Sequence, residues 1–348
     1  MRGKANCCRL RTTVDSAKVG LWCHEDVPLC TKPVVVDHPA GGRPRRAIAD
    51  YDKGKESRMA RTEGTIVVPG GRVWFARVGG GSGLPLLVVH GGPGFPHNYL
   101  LALERLADER EIIFWDQLGC GQSEAPSDKR LWTLRRSVAE LDTVSKALGL
   151  HRFHLFGHSW GGMLAQQYVI DVRTSAVTLI LSNSLASTQR FSDEVCRLKS
   201  RLDSATQLAI DRHEAAGTIE SAEYAEAIRI WFETFICRAD PWPPELEESY
   251  KNVGMQIYEC LFGRSRFRVS GNLVGWNVFD RLNEIDLPTL VAVGRFDECT
   301  PGHMWDMHSR IADSQFVCFE SSAHMPFIEE PERFDSVMRE FLALHDET

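Results

Sequence analysis

The chain is 348 residues long, 43% hydrophobic and 25% charged, with a formal charge of −7. This is the make-up of an ordinary globular protein of about two folding units, with no apolar run near the ~18 residues a membrane helix needs and no apolar start of a signal peptide. Residues 1–60 carry 12 Lys+Arg against 7 Asp+Glu, leaving 28 basic and 40 acidic residues in the remainder, a body too acidic to bind nucleic acid and mildly attractive to small cations.

Residues 1–60 show no sustained periodicity, and GGRPRR (41–46) and YDKGKE (51–56) read as loop. Asp15, Glu25, Asp26 and Asp37 argue against a transit peptide. A poorly ordered extension is expected there, with regular structure beginning near Gly64. TIVVPGGRVWFARVG predicts two strands joined by a PGGR turn. LPLLVVH (84–90) predicts a buried strand, HNYLLALERLADE (97–109) a helix, and EIIFWD (111–116) another strand. TLRRSVAELDTVSKALGL (133–150) puts Leu134, Val138, Leu141, Val144 and Leu148 on one helical side. RFHLFG, the helix WGGMLAQQYVID and the strand AVTLILSNS follow. Strands alternating with helices imply a mostly parallel α/β sheet with helices on both faces.

The alternation stops near residue 187. Residues 191–262 read as helical throughout, and strand–helix alternation resumes at LPTLVAVG. The expected organisation is therefore an extension (1–60), a first part of the sheet core (61–186), a helical cap (187–270) and a second part of the core (271–348).

The strongest chemical signal is Gly157-His158-Ser159-Trp160-Gly161, standing between a strand and a helix. This is the nucleophile-elbow pattern of the α/β-hydrolase fold. A serine on so tight a turn needs glycine two residues away on either side, where a side chain would strike neighbouring backbone. The turn also sets Ser159 at a helix N-terminus, which favours developing negative charge. Serine is a weak nucleophile without a base and an orienting acid, and in this fold those follow in the order acid, then histidine. Among the histidines after the cap, His303 and His308 fall in an expected surface helix. His324 follows the strand SQFVCFE, where a triad base belongs. Asp297 ends the preceding strand, whereas Asp286 and Asp280 precede that strand. Asp297 is thus expected to hold the His324 tautomer and stabilise its imidazolium. For the oxyanion hole, the Trp160 N–H and an N–H of the loop His90-Gly91-Gly92-Pro93-Gly94 are expected, with Gly92 as the second donor. Asp116 in WDQLGCGQS precedes the nucleophile and reads as structural.

Together HGGPG, WDQLGCGQS, GHSWGGMLAQQY and GRFDECTP resemble, in order and spacing, the motifs of the proline iminopeptidase family, capped α/β-hydrolases that remove N-terminal residues from peptides. The resemblance extends to CRADPWPPEL, IYECLFG and LVGWNVFDRLNEIDLPTLVAVG and covers about residues 64–345. It implies that Glu298, directly after the triad acid, helps bind the substrate α-ammonium. One departure stands out: in GRSRFRVSG (263–271), Arg266 occupies the place where the family tends to have a second glutamate. That arginine either repels an ammonium, pairs with Glu298, or faces solvent. Glu259 is a candidate to compensate. Phe95, Trp231 and Phe235, with Phe232 and Trp242, are candidates to line an apolar substrate pocket or to form the core of the helical block.

The expected activity is that of a serine hydrolase releasing an N-terminal proline or other small apolar residue through an acyl-enzyme. The alternatives are an amide, ester or lactone hydrolase acting on a metabolite without a free amine, and a non-enzymatic small-molecule receptor on the same scaffold. No cofactor or metal is expected, since the triad needs none. The partner is a small molecule or short peptide. Ten cysteines without a CxxC fit reduced thiols in the cytoplasm.

Overall fold

The computed structural model describes residues 60–347, and the extension expected over 1–60 lies outside them but for its last residue. Eight strands form one sheet. They are β1 (Arg61–Val68), β2 (Gly71–Val78), β3 (Gly83–Val89), β4 (Arg110–Trp115), β5 (Phe153–His158), β6 (Ala176–Ser182), β7 (Thr289–Gly294) and β8 (Ser314–Phe319). Their order across the sheet is β1-β2-β4-β3-β5-β6-β7-β8. β1 and β2 pair antiparallel, as do β2 and β4, and all other neighbours are parallel. Every residue of β5 and β7 is buried, which is why the parallel strands read as continuous apolar runs rather than alternating ones.

The helices are α1 (Leu134–Ala147), α2 (Trp160–Asp171), α3 (Thr188–Lys199), α4 (Ser204–Ala216), α5 (Ala222–Phe235), α6 (Pro244–Lys251), α7 (Met255–Leu261), α8 (Pro301–His308), α9 (Pro326–Glu329) and α10 (Pro331–Leu344). The segment expected to be an α-helix near residue 97 forms a 3-10 helix, His97–Leu106. His303 differs from its expected surface position. It is 3% exposed, accepts a hydrogen bond from the Ala186 N–H at 3.2 Å, and packs edge-on to Phe279.

Helices α3 to α7 all lie between β6 and β7. Three of them start at side-chain caps, with Ser187, Asp203 and Ser221 accepting N–H bonds from the first turns of α3, α4 and α5. Each such cap is typically worth about 1 kcal/mol. The ends of the insert meet at a bridge between Ser187 and Asn277, flanked by Thr188 N–H to Trp276 O (3.0 Å) and Val278 N–H to Ala186 O (2.9 Å). The insert also bonds to the core at its far side. The Tyr99 N–H donates to Ser249 Oγ at 3.0 Å, and the His324 N–H to Ile236 O at 3.0 Å.

Candidate active site

Ser159 sits between β5 and α2 at φ 55°, ψ −122°, a conformation that costs an L-residue of order 1–3 kcal/mol. The crowding predicted from the glycines is present. A Cβ on Gly161 would lie 2.1 Å from Val89 O, and one on Gly157 would lie 2.6 Å from Gly161 O. The turn is held by Ser159 N–H to Ser182 O (3.0 Å) and by Ser184 Oγ to Ser159 O (2.8 Å). The strain is thus imposed by β5, β6 and α2 together.

The loops after β7 and β8 bring Asp297 and His324 together. His324 Nδ1 lies 2.7 Å from Asp297 Oδ1, and both side chains are buried. The second carboxylate oxygen of Asp297 accepts from Asn183 Nδ2 at 2.7 Å, and Oδ1 also accepts the Cys299 N–H at 2.8 Å. Burial pushes the Asp297 carboxyl up, while His324 and these two donors act against it. Burial opposes charge on His324 as well, but the Asp297 carboxylate outweighs it and holds the imidazole above its ordinary value. Nothing in the sequence marks Asn183 as functional, since it stands between two serines at the end of the run AVTLILSNS. It stands at φ 54°, a left-handed position that Asn tolerates better than most residues.

Ser159 and His324 face one cavity of about 630 Å³, counted to its open mouth, which Gly92, Phe95, Trp160, Glu298 and Arg266 also line. Gly92 lies at φ 118°, and a Cβ there would come within 2.6 Å of the Gly94 nitrogen. Trp160 is pinned from its side-chain end, its Nε1 donating to Gln117 Oε1 at 2.9 Å. Gln117 also donates to His90 O at 2.9 Å, so the WDQLG loop braces both flanks of the expected oxyanion hole. Asp116 is absorbed by structure, accepting from His97 N–H (2.8 Å) and Gln122 N–H (2.9 Å).

Arg266 and Glu298 form an ion pair on the cavity wall, with Nη2 and Oε1 3.5 Å apart. Trp231 Nε1 donates to the other oxygen, Oε2, at 3.1 Å. The guanidinium stacks 4.4 Å above Phe232. Burial opposes its charge, yet Glu298 and the nearby phenols of Tyr258 and Tyr250 hold Arg266 above the ordinary arginine value. Three candidates take other places. Trp231 and Phe235 are buried against each other, rings 4.6 Å apart, inside the helical block and behind the cavity wall. Glu259 points outward, 44% exposed, towards Arg264 at 3.5 Å. In α7 the inward positions fall to Ile257 and Leu261, so Glu259 is turned away from them.

Asp297, Cys299 and His324 present ligand atoms within 4.8 Å of one another. Two of these groups are already joined by the short hydrogen bond, and burial pushes the Cys299 thiol well up, so it stays protonated and is a poor ligand. The set fits a hydrogen-bonded base better than a metal.

The α/β-hydrolase fold family matches residues 85–331. The chain is 41% identical to a proline iminopeptidase of Heyndrickxia coagulans over 285 residues, 81% of this chain and 98% of that protein. It is 36% identical to a proline iminopeptidase of Clostridium botulinum over 269 residues, 76% of this chain and 92% of that one. Among solved structures, the proline iminopeptidase of Mycobacterium smegmatis superposes with a TM-score of 0.77 at 34% identity, covering 82% of this chain and 99% of that chain. VinJ superposes with a TM-score of 0.79 at 33% identity over the same shares. The chain belongs to the proline iminopeptidase family of α/β-hydrolases, and it is a serine hydrolase.

Proposed function

We propose that the protein removes an N-terminal residue, proline or another small apolar one, from short peptides or amino-acid amides. Ser159 Oγ attacks the carbonyl while His324 takes its proton. Asp297 keeps that imidazole in the tautomer whose Nε2 can act as base. The Gly92 and Trp160 N–H groups hold the oxyanion, each such donor being worth about 3–4 kcal/mol of transition-state stabilisation. His324 then protonates the leaving amine, and water repeats the sequence in reverse to release the acyl group. The helices between β6 and β7 act as a cap that limits the substrate to what the cavity holds.

The observation that carries this reading is Glu298. It is a buried carboxylate on the wall of the cavity that holds Ser159, immediately after the acid bonded to His324. The family's proline iminopeptidases in Heyndrickxia and Clostridium support the choice of substrate. The test is turnover of a proline arylamide beside its N-acetylated form. Preference for the free amine is expected, and equal turnover of both would overturn the ammonium subsite.

Arg266 favours a second reading. Because it already neutralises Glu298, the cavity also suits an acyl group without a free amine, in an amide, ester or lactone, and a substrate carboxylate would share the guanidinium with Glu298. Hydrolysis of such substrates with the proline arylamide untouched would decide for it. A purely receptor-like role predicts that a fluorophosphonate probe leaves Ser159 unlabelled.

A reducing compartment, the cytoplasm, fits the thiols: Cys120, Cys196, Cys237, Cys260, Cys299 and Cys318 are all free. No described helix is long and apolar enough to cross a membrane.

A further inference from the structure

His158 occupies the variable position of the elbow, between Gly157 and the nucleophile, where the pattern asks for no particular residue. It is nevertheless buried and bonded at both ring nitrogens. Its Nδ1 lies 2.9 Å from the hydroxyl of Tyr99, and its Nε2 lies 2.9 Å from the main-chain oxygen of His324. The Tyr99 hydroxyl in turn accepts the Gly91 N–H at 2.7 Å.

Only one arrangement of protons satisfies all of these atoms. The His324 carbonyl is a pure acceptor, so Nε2 of His158 carries hydrogen. A neutral imidazole then has a bare Nδ1, and the Tyr99 hydroxyl, already accepting from Gly91, donates its one proton there. Burial and the neighbouring His324 keep His158 uncharged, and burial keeps the Tyr99 phenol protonated.

We propose that Tyr99 and His158 form a neutral crosspiece that holds the oxyanion loop, the nucleophile elbow and the His324 loop in register. Both are positioning residues, acting through Gly91 and His324. At one end the crosspiece grips the residue before Gly92. At the other it fixes the main chain of His324, whose N–H is bonded to Ile236 O at 3.0 Å and whose neighbours Ala323 and Met325 donate to Glu329 at 2.9 and 3.1 Å. With the peptide so tied, His324 has only its side-chain torsions left to adjust, and Asp297 takes up those.

The inference rests on Ser159 and His324 being the reacting pair but not on the choice of substrate. Its test uses Tyr99→Phe, His158→Leu and His158→Gln in the full chain. A glutamine can accept from Tyr99 and donate to the His324 carbonyl, whereas leucine can do neither. Displacing a reacting group by an ångström costs up to about 10²-fold, so Tyr99→Phe and His158→Leu are expected to lower kcat roughly 10- to 100-fold with KM within about twofold, and His158→Gln to recover most of the loss. Phe327→Leu, which alters packing against both rings without touching the hydrogen bonds, serves as the packing control and is expected to spare kcat. Each variant is assayed on an aryl ester and on a proline arylamide, and by its rate of fluorophosphonate labelling. If wild-type protein cleaves the ester and not the arylamide, the aminopeptidase reading fails while ester and labelling rates still judge the crosspiece. Full kcat in Tyr99→Phe, or equal rates for His158→Leu and His158→Gln, would overturn it.

Discussion

The guanidinium of Arg266 stands 3.5 Å from the carboxylate of Glu298 on the wall of the cavity that holds Ser159. The pair joins the segment after α7 to the loop after β7, and it is largely shielded, with side-chain exposures of 19% and 8%. A substrate ammonium must therefore compete with a cation already in place. At 3.5 Å the contact is longer than a good charge-assisted bond, which runs to about 2.7–2.9 Å, so the competition is not hopeless for the amine.

Arg266→Gln removes the competing charge and leaves a hydrogen-bonding side chain. It is expected to raise kcat/KM for a proline arylamide about tenfold, chiefly through KM, which corresponds to ~1.4 kcal/mol. N-acetylated or ester substrates should gain nothing. Steady-state kinetics on both substrate types would show this, and a loss on the free amine would mean that Arg266 assists binding.

The pH dependence follows from His324. As general base it must be neutral, and its raised value means that protonation begins above the ordinary imidazole range. The acid limb of kcat/KM is therefore expected above pH ~6.5. Asp297→Asn removes the charge that raises His324, so the limb should move to lower pH while the rate falls roughly 10⁴-fold. A limb that stays in place in that variant would contradict the assignment.

Asn183 supports the acid rather than the chemistry. Asn183→Ala strips one donor from a buried carboxylate and puts alanine at φ 54°. A loss of about 2–4 kcal/mol in stability is expected from the two effects together, with a fall in kcat and little change in KM. Denaturant titration alongside kinetics would separate the two.

Ser159→Ala should abolish turnover and fluorophosphonate labelling while leaving the melting temperature near that of the wild type, because the hydroxyl donates to no group that the fold depends on. Residual hydrolysis near wild-type rate would remove Ser159 from the mechanism.

Gly161→Ala tests the elbow by sterics alone. Its Cβ would fall 2.1 Å from Val89 O, a backbone atom of a central strand that cannot yield cheaply. A destabilisation of about 3 kcal/mol or more is expected, read as a lower denaturation midpoint, whereas Gly217→Ala meets no atom within 4 Å and should show only the smaller penalty of a left-handed backbone.

Some of this was written in local sequence. The buried strands β5 and β7 were visible as apolar runs because both of their faces are covered, and the elbow was visible because a serine on so tight a turn demands glycines at fixed offsets. The pairing of Asp297 with His324 follows from chain order, since both leave parallel strands at their carboxyl ends. Periodicity, however, reports that a side is buried and not what covers it. By sequence Trp231 and Phe235 can face a substrate or form core, and Glu259 can turn inward or outward; the packing of α5 and the direction of α7 decide. His303 looked like a surface residue for the same reason. What only the tertiary structure decided are contacts between segments far apart in the chain. Arg266 meets Glu298 when the insert folds over the sheet, Asn183 meets Asp297 because β6 and β7 pair, and His158 joins Tyr99 to His324 where loops from three strand ends converge. Such contacts depend on the angle and depth at which elements pack, quantities that a linear pattern of apolar and polar residues does not encode.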